Sequence, residues 1–406
     1  MSGSPMSGSL ARPALVLGLM AAVGPLAIDM YLPALPEIAS SLEADPASAQ
    51  LTLTAFFLAF GLFQMVYGPL SDQLGRKRPL YAGLGLFLLG SFACALAPTL
   101  SWLVAARVLQ GVGAASVMVL PRAIVRDMFT GYEATRLMAL IMLVISVSPM
   151  LAPLLGTVFM ALGDWHTIFV FLAVVALLSI GLTHFFLGET LAEDERVPVH
   201  TASLIQGCKT LLRDPLFMGL TLIGGCGMAS FFVFIASASF VYTTYYGLTE
   251  VGFSIAFAVN AIGFFASSQL AAGMGQRFGI HRLIGAALTG FLLVESVLLA
   301  LVLSGFDQLP IVMAGLFLGN ACLGLVIPTC MVLALDRHGR IAGLASSLGG
   351  TLQMVTGGLM IVVAGPFFDG TVTPMIAAIF GCALAAFVLM HVLGVSRPAA
   401  DPEPGF

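Results

Sequence analysis

Apolar runs of about 20 residues, separated by short polar turns, follow one another along almost the whole chain. Each is long enough to cross a bilayer as a helix. Twelve are predicted, near 13–36, 50–70, 79–98, 101–121, 135–161, 166–187, 215–242, 252–274, 283–304, 309–334, 343–367 and 373–394. One long polar stretch, 188–214, divides them six and six. The pattern predicts an all-α membrane protein with twelve transmembrane helices in two six-helix bundles. The first bundle takes 1–187, a cytoplasmic linker 188–214, the second bundle 215–394 and a cytoplasmic tail 395–406.

Composition agrees. Of 406 residues, 59% are apolar and 9% charged, and the mean hydropathy is +1.05; soluble domains carry about 25% charged residues. Charge placement then sets orientation. With the N-terminus cytoplasmic, fifteen of the sixteen Lys and Arg residues fall inside and none outside, the sixteenth, Arg107, lying within a span. Basic loops mark the cytoplasmic side. The outer loops carry acids instead: Glu43, Asp45, Asp164, Glu250, Asp307 and Asp369. The first run is too long for a removable signal peptide and lacks a small-residue cleavage site. No two cysteines share an outer loop, so disulfides are not expected. There is no phosphate-binding loop, which excludes an internal nucleotide motor. No metal-ligand spacing appears, and no outer loop could house a catalytic domain, so neither an enzyme nor a nucleic-acid binder is expected.

The most informative turn is Gly68–Pro79, GPLSDQLGRKRP, which places one acid and three bases between two spans. Gly68 and Gly75 permit the turn, and Asp72 with Arg76 can pair across a helix interface. A weaker copy, GMGQRFGIHR at Gly273–Arg282, repeats the glycine and basic spacing without the acid. Two halves duplicated in this way would place a site near the midplane between them. Pro25, Pro149 and Pro153 lack a backbone donor and are expected to kink their helices.

Charged residues inside spans are costly, about 2.5–3.5 kcal/mol at a helix centre, and need a reason. Asp29 in span 1 and Arg107 in span 4 sit at similar depth, roughly 9–10 Å below the outer surface at ~1.5 Å per residue. They are expected to meet across a cavity or to titrate through water between them, either as a proton site or as a fixed ion pair. Glu295 in span 9 is a third intramembrane charge, read as a neutral protein-facing acid or a coupling residue. The candidate cavity residues are Tyr31, Phe57, Gln64, Gln110, Met118, Met142, Phe234, Asn260, Asn320 and Gln353. The polar ones need a partner or water inside the bilayer, and the methionines offer adaptable apolar walls.

These motifs resemble the major facilitator superfamily, and within it the proton-coupled exporters of the bicyclomycin and chloramphenicol resistance (Bcr/CflA-like) group. The Gly68–Lys77 loop matches the superfamily's loop between its second and third helices, with Gln73 in place of the usual Arg. LAIDMYLPALPEI at Leu26–Ile38 is similar to the group's first-helix signature. ARVLQGVGAA at Ala106–Ala115 resembles the R-x-x-Q-G motif of span 4. PRAIVRDMF at Pro121–Phe129 and the 236–263 segment also match. The antiporter motif of span 5 is imperfect: Ala152, Pro153 and Gly156 stand in it, with Ala and Thr replacing glycines. The resemblance implies the major facilitator fold, export of an amphipathic drug-like molecule against inward protons, and a monomer in the bacterial inner membrane. It implies no cofactor beyond the proton gradient. Asp29 would carry the proton and Arg107 tune it. Gly68, Asp72, Gly75, Arg76 and Arg126 would form the cytoplasmic gate, with Asp72 near the N-terminus of span 11 when that side is closed. A metabolite exporter or symporter, or a transport-inactive sensor, are the alternative readings.

Overall fold

The computed structural model describes residues 11–196 and 201–393; Arg397 and the expected 395–406 tail lie outside them. Among the described residues twelve helices are long and apolar enough to cross a membrane, and there is no strand. The protein is a multi-pass membrane protein.

In chain order the helices are α1 (Ala11–Asp29), α2 (Leu35–Ser41), α3 (Pro46–Leu74), α4 (Lys77–Ala95), α5 (Leu100–Met128), α6 (Gly131–Leu162) and α7 (His166–Phe186). Then come α8 (Thr201–Arg213), α9 (Pro215–Phe240), α10 (Glu250–Phe278), α11 (Ile280–Leu303), α12 (Leu309–Asp336), α13 (Ala342–Ala364) and α14 (Val372–Val392). Short polar residues start several of them. Asp45 accepts from the Ser48 N–H at 2.9 Å ahead of Pro46, and Asp214 accepts from the Leu216 N–H at 2.9 Å ahead of Pro215. Both supply an acceptor for N–H groups that no helical turn can satisfy, with proline where its missing donor costs nothing.

Two elements differ from the sequence expectation. The first span is not one helix: it passes from α1 through a 3-10 turn at Leu32–Ala34 into α2. The break falls beside Pro33 and Pro36, while the helix runs on through Pro25, Pro149 and Pro153. The seventh span is longer than expected, because a π-helical turn, Val241–Tyr245, continues α9. The polar linker also contains a helix of its own, α8.

Helices α1 and α3–α7 pack on one another, as do α9–α14, and the two sets meet where α3 faces α13, α6 faces α10 and α2 faces α9. The internal echo in the sequence is visible in the backbone. α3 and α10 both have 29 residues, and both end on a glycine with positive φ, Gly75 at +84° and Gly279 at +87°. Leu143, Leu178, Leu293, Val297 and Val363 are exposed on the outside of the helices. An apolar exterior of this kind needs lipid around it. The loops at one end carry the bases and those at the other the acids, defining a basic and an acidic face.

Candidate functional site

At the basic face the α3–α4 turn folds around Arg76. Its Nε donates to Asp127 Oδ2 at 2.7 Å and its Nη2 to Asp127 Oδ1 at 3.2 Å. Its Nη1 donates to Asp72 Oδ1 at 2.5 Å and to Ser71 Oγ at 2.8 Å. The guanidinium fork thus ties α3 to the end of α5, a geometry that lysine could not reproduce. The expected Asp72–Arg76 pair is present. Asp127 and Glu189 were not anticipated. Glu189 Oε1 accepts from the Arg76 N–H at 2.8 Å and Oε2 from the Lys77 N–H at 3.2 Å, closing the open N-terminus of α4. Burial pushes the Glu189 carboxyl up, but the N–H groups of Arg76, Leu191, Lys77 and Thr190 outweigh it and hold it below the usual carboxylate range.

Beside this cluster lies a cavity of about 850 Å³ between the two helix sets. Asp72, Arg126, Ser203 and Ala342 line its mouth, so it opens at the basic face; Gln64, Met118, Gly350 and Met354 line its inner part. Asp72 and Ala342, at the start of α13, both line that mouth.

The acidic face is shut. Gln50 Nε2 donates across the seam to Ala236 O at 3.1 Å. Phe57 and Phe232 stack, and Thr351 Oγ1 donates to Gly61 O at 2.7 Å. Gly61 is required there, since a Cβ would fall 2.6 Å from Met354 Cβ. Among the described residues the large cavity therefore opens at the basic face, and these contacts close the other side.

Asp29 and Arg107 are both buried, but the structure does not bring them together as an ion pair. Arg107 Nη1 donates to Ala27 O at 3.0 Å and to Gln110 Oε1 at 2.5 Å. Its guanidinium carbon lies 4.6 Å from the Tyr31 ring centroid and 4.3 Å from that of Phe56. Ring faces, a carbonyl and an amide hold this cation in place of a carboxylate. Asp29 lies two residues beyond Ala27, about 200° around a 3.6-residue helix. Its carboxylate has no hydrogen-bond or ion-pair partner among the described residues.

Of the candidate cavity residues, Gln64 and Met118 line the cavity, as do Gly68, Asp72, Arg76 and Arg126 of the expected gate. The others are placed elsewhere. Tyr31 bonds Thr52 at 2.7 Å, and Phe57 belongs to the acidic-face seal. Gln110 is used by Arg107 and by Ser91, at 2.9 Å. Phe234 stacks on Phe257, and Asn260 donates to Ala256 O at 3.0 Å. Gln353 is packed against Gly224, and Asn320 is buried. Met142 is 47% exposed and lies on the exterior. Ala152, Pro153 and Gly156 are buried in α6, where Gly156 faces the Met30 carbonyl at the break in the first span. Glu295 is 1% exposed, against Gly319 of α12 and away from the cavity.

The model of the Major Facilitator Superfamily matches residues 17–361. The MFS-type transporter YdgK of Bacillus subtilis (strain 168), itself uncharacterized, is 36% identical over 369 residues, covering 90% of this chain and 91% of that one. A bicyclomycin resistance protein homolog of Haemophilus influenzae is 27% identical, covering 93% and 95%. A chloramphenicol resistance protein of Pseudomonas aeruginosa is 31% identical, covering 72% and 69%. Among solved structures, the xylose transporter XylE of E. coli in a partially occluded inward-open conformation superimposes with a TM-score of 0.72 at 13% identity, over 94% and 97% of the chains.

Proposed function

Because this chain belongs to the Major Facilitator Superfamily, and is a transporter rather than an enzyme, we propose that it exports small amphipathic drug-like molecules in exchange for protons. It works as a monomer in the bacterial inner membrane, with both termini and the basic face cytoplasmic. Similarity to bicyclomycin and chloramphenicol resistance proteins supports the substrate class. The concentration of bases on one face supports the orientation.

The observation that carries the reading is a cavity open to one face, with the other face shut by contacts weak enough to break in every cycle. An aromatic pair contributes about 0.5–1.5 kcal/mol beyond its buried area, and each hydrogen bond about 0.5–1.5 kcal/mol net. The acidic-face seal is therefore worth a few kcal/mol, and binding of a ligand can offset it. Substrate enters from the cytoplasm, between α3, α5 and α13. The two helix sets then rock about the seam. The basic-face mouth narrows, bringing Asp72 to the free N–H groups at the start of α13, a contact worth about 0.3–1 kcal/mol when wet. The seal at Phe57, Phe232 and Gln50 opens in turn and releases the molecule outside.

Asp29 is the proton carrier in this scheme. A carboxylate inside a span with no protein partner is a functional site by default. Its position at the end of α1, next to Met30, whose carbonyl faces Gly156 of α6, couples its water access to movement of the first span. Arg107 acts at a distance, as a fixed positive charge locked into the first helix set. In proteoliposomes reporting internal pH with a dye, the wild type should move protons when a drug-like substrate is added. Asp29→Asn should fold and bind but move none; undiminished coupled proton flux in that variant would overturn the assignment. A susceptibility screen in an exporter-deficient bacterium separates drug export from export of a metabolite.

A further inference from the structure

The charge on the cavity wall is unbalanced. Among the described residues that line it are one carboxylate, Asp72, and three guanidiniums, those of Arg76, Arg122 and Arg126. Arg76 is spoken for by Asp72 and Asp127. Arg122 and Arg126 have no hydrogen-bond or ion-pair partner among the described residues. They lie four residues apart on α5, so they stand on one face, one turn apart. Like charges at that spacing repel, and Arg122 is only partly exposed, so its charge is incompletely hydrated. Rotation by one position, from Arg126 to Asp127, turns the acid away from the cavity and into Arg76. The two cations next to the cavity are thus left free while a nearby carboxylate is used elsewhere.

Above them the wall is apolar and adaptable: Met65, Met118, Met138, Met331 and Met354 line the same cavity. Its 850 Å³ falls in the range of small-molecule sites. We propose that Arg122, seconded by Arg126, forms an anion site, so that the cavity takes amphipathic molecules carrying a carboxylate, sulfonate or phosphate, the apolar body lying against the methionines. This deepens the export reading by naming the charge class of the molecule at that same cavity. A planar guanidinium pair suits such groups because it can offer two parallel N–H donors to two oxygens.

The source of the anion is either a free amphiphile or the headgroup of an anionic lipid, and one experiment separates them. Calorimetry on the full chain in phosphatidylcholine nanodiscs compares 1-naphthalenesulfonate with its neutral analogue, 1-naphthalenesulfonamide. The wild type should prefer the sulfonate at least tenfold, and 0.5 M NaCl should weaken the sulfonate alone. Arg122→Gln should remove the preference while leaving sulfonamide binding unchanged, which also reports that the variant is folded. Arg122→Lys, which keeps the charge and loses the fork, should retain part of it. If phosphatidylglycerol in the disc abolishes sulfonate binding to the wild type, the anion in the membrane is the lipid phosphate; if it does not, the occupant is a free amphiphile. Equal binding of the two naphthalenes to the wild type, or an unchanged sulfonate preference in Arg122→Gln, would overturn the proposal. No proton gradient is present, so the result is independent of whether export is proton-driven. Sulfonate preference without any transport would defeat the export reading alone.

Discussion

Phe57 of α3 and Phe232 of α9 lie face to face across the seam between the helix sets, with ring centroids 3.8 Å apart and planes 18° from parallel. Both rings are almost fully buried. They come from opposite halves of the chain, and they shut the acidic face. Replacing either by Ala should therefore shift the population toward outward-open. A loss of about 1.4 kcal/mol changes the ratio of states tenfold. With a cysteine at Ser237, labelling by a membrane-impermeant maleimide from the acidic side should speed up by roughly that factor. An unchanged labelling rate would show that the seal resides elsewhere, for instance in the Gln50 bonds.

The two acids of the Arg76 cluster should differ in effect. The Asp127 side chain is 13% exposed and makes two bonds to the fork, whereas that of Asp72 is 50% exposed and makes one. Asp72→Asn should cost less than about 1 kcal/mol, as for a wet ion pair. Arg76→Ala should cost about 3 kcal/mol, because it strands Asp127 in a poorly hydrated site. Thermal unfolding in detergent gives the order. If Asp72→Asn were as damaging as Asp127→Asn, exposure would not be the deciding factor.

Glu189 gives a pH dependence with a definite sign. Its folded-state pKa lies below the ordinary carboxylate value because N–H donors stabilise the anion. The stabilisation is present above the unfolded pKa, about 4.3, and is lost as pH falls through the lower folded value. Melting temperature should thus drop between about pH 5 and 3 by more in wild type than in Glu189→Gln. Equal slopes would mean that the cap on α4 contributes nothing.

Arg107 is held as much by shape as by charge. Arg107→Lys keeps the cation but removes the donors shared between Ala27 and Gln110, and it weakens the stacking on Phe56 and Tyr31. Folding stability should fall by about 1–3 kcal/mol. Transport that survives in this variant should keep the wild-type pH profile, since the fixed charge stays in place. A displaced profile would show that Asp29 senses the guanidinium directly.

The spans, their number and the basic turn were legible in the sequence because hydropathy and turn chemistry are local. Azimuth was not. Depth along the spans places Asp29 and Arg107 at the same level, but it does not say that Arg107 would find the Ala27 carbonyl on the other side of α1. Polar residues inside spans were read as cavity wall, yet Gln110 and Asn260 spend their donors within their own helix set. Asp127 stood in the PRAIVRDMF segment, beside Arg126, and only the rotation of one residue on α5 decides which of the two faces Arg76. Glu189 opens the polar linker, and nothing in that stretch indicates that it would return to cap α4.

The linker itself is fastened at both ends to different partners. Glu189 is held by the Arg76 and Lys77 N–H groups, and its carboxylate fills the space beside Gly75 that a Cβ would need, at 2.6 Å. Asp214 caps α9 and binds His338 Nε2 at 2.8 Å. Each half thus carries its own clasp, and a backbone cut between Arg196 and Thr201 would sever neither. The peptide joining the halves then contributes mainly effective concentration. Two separately made chains, one ending at Arg196 and the other starting at Thr201, should find each other in one membrane through the α3–α13, α6–α10 and α2–α9 seam alone, much as the subunits of a dimer do.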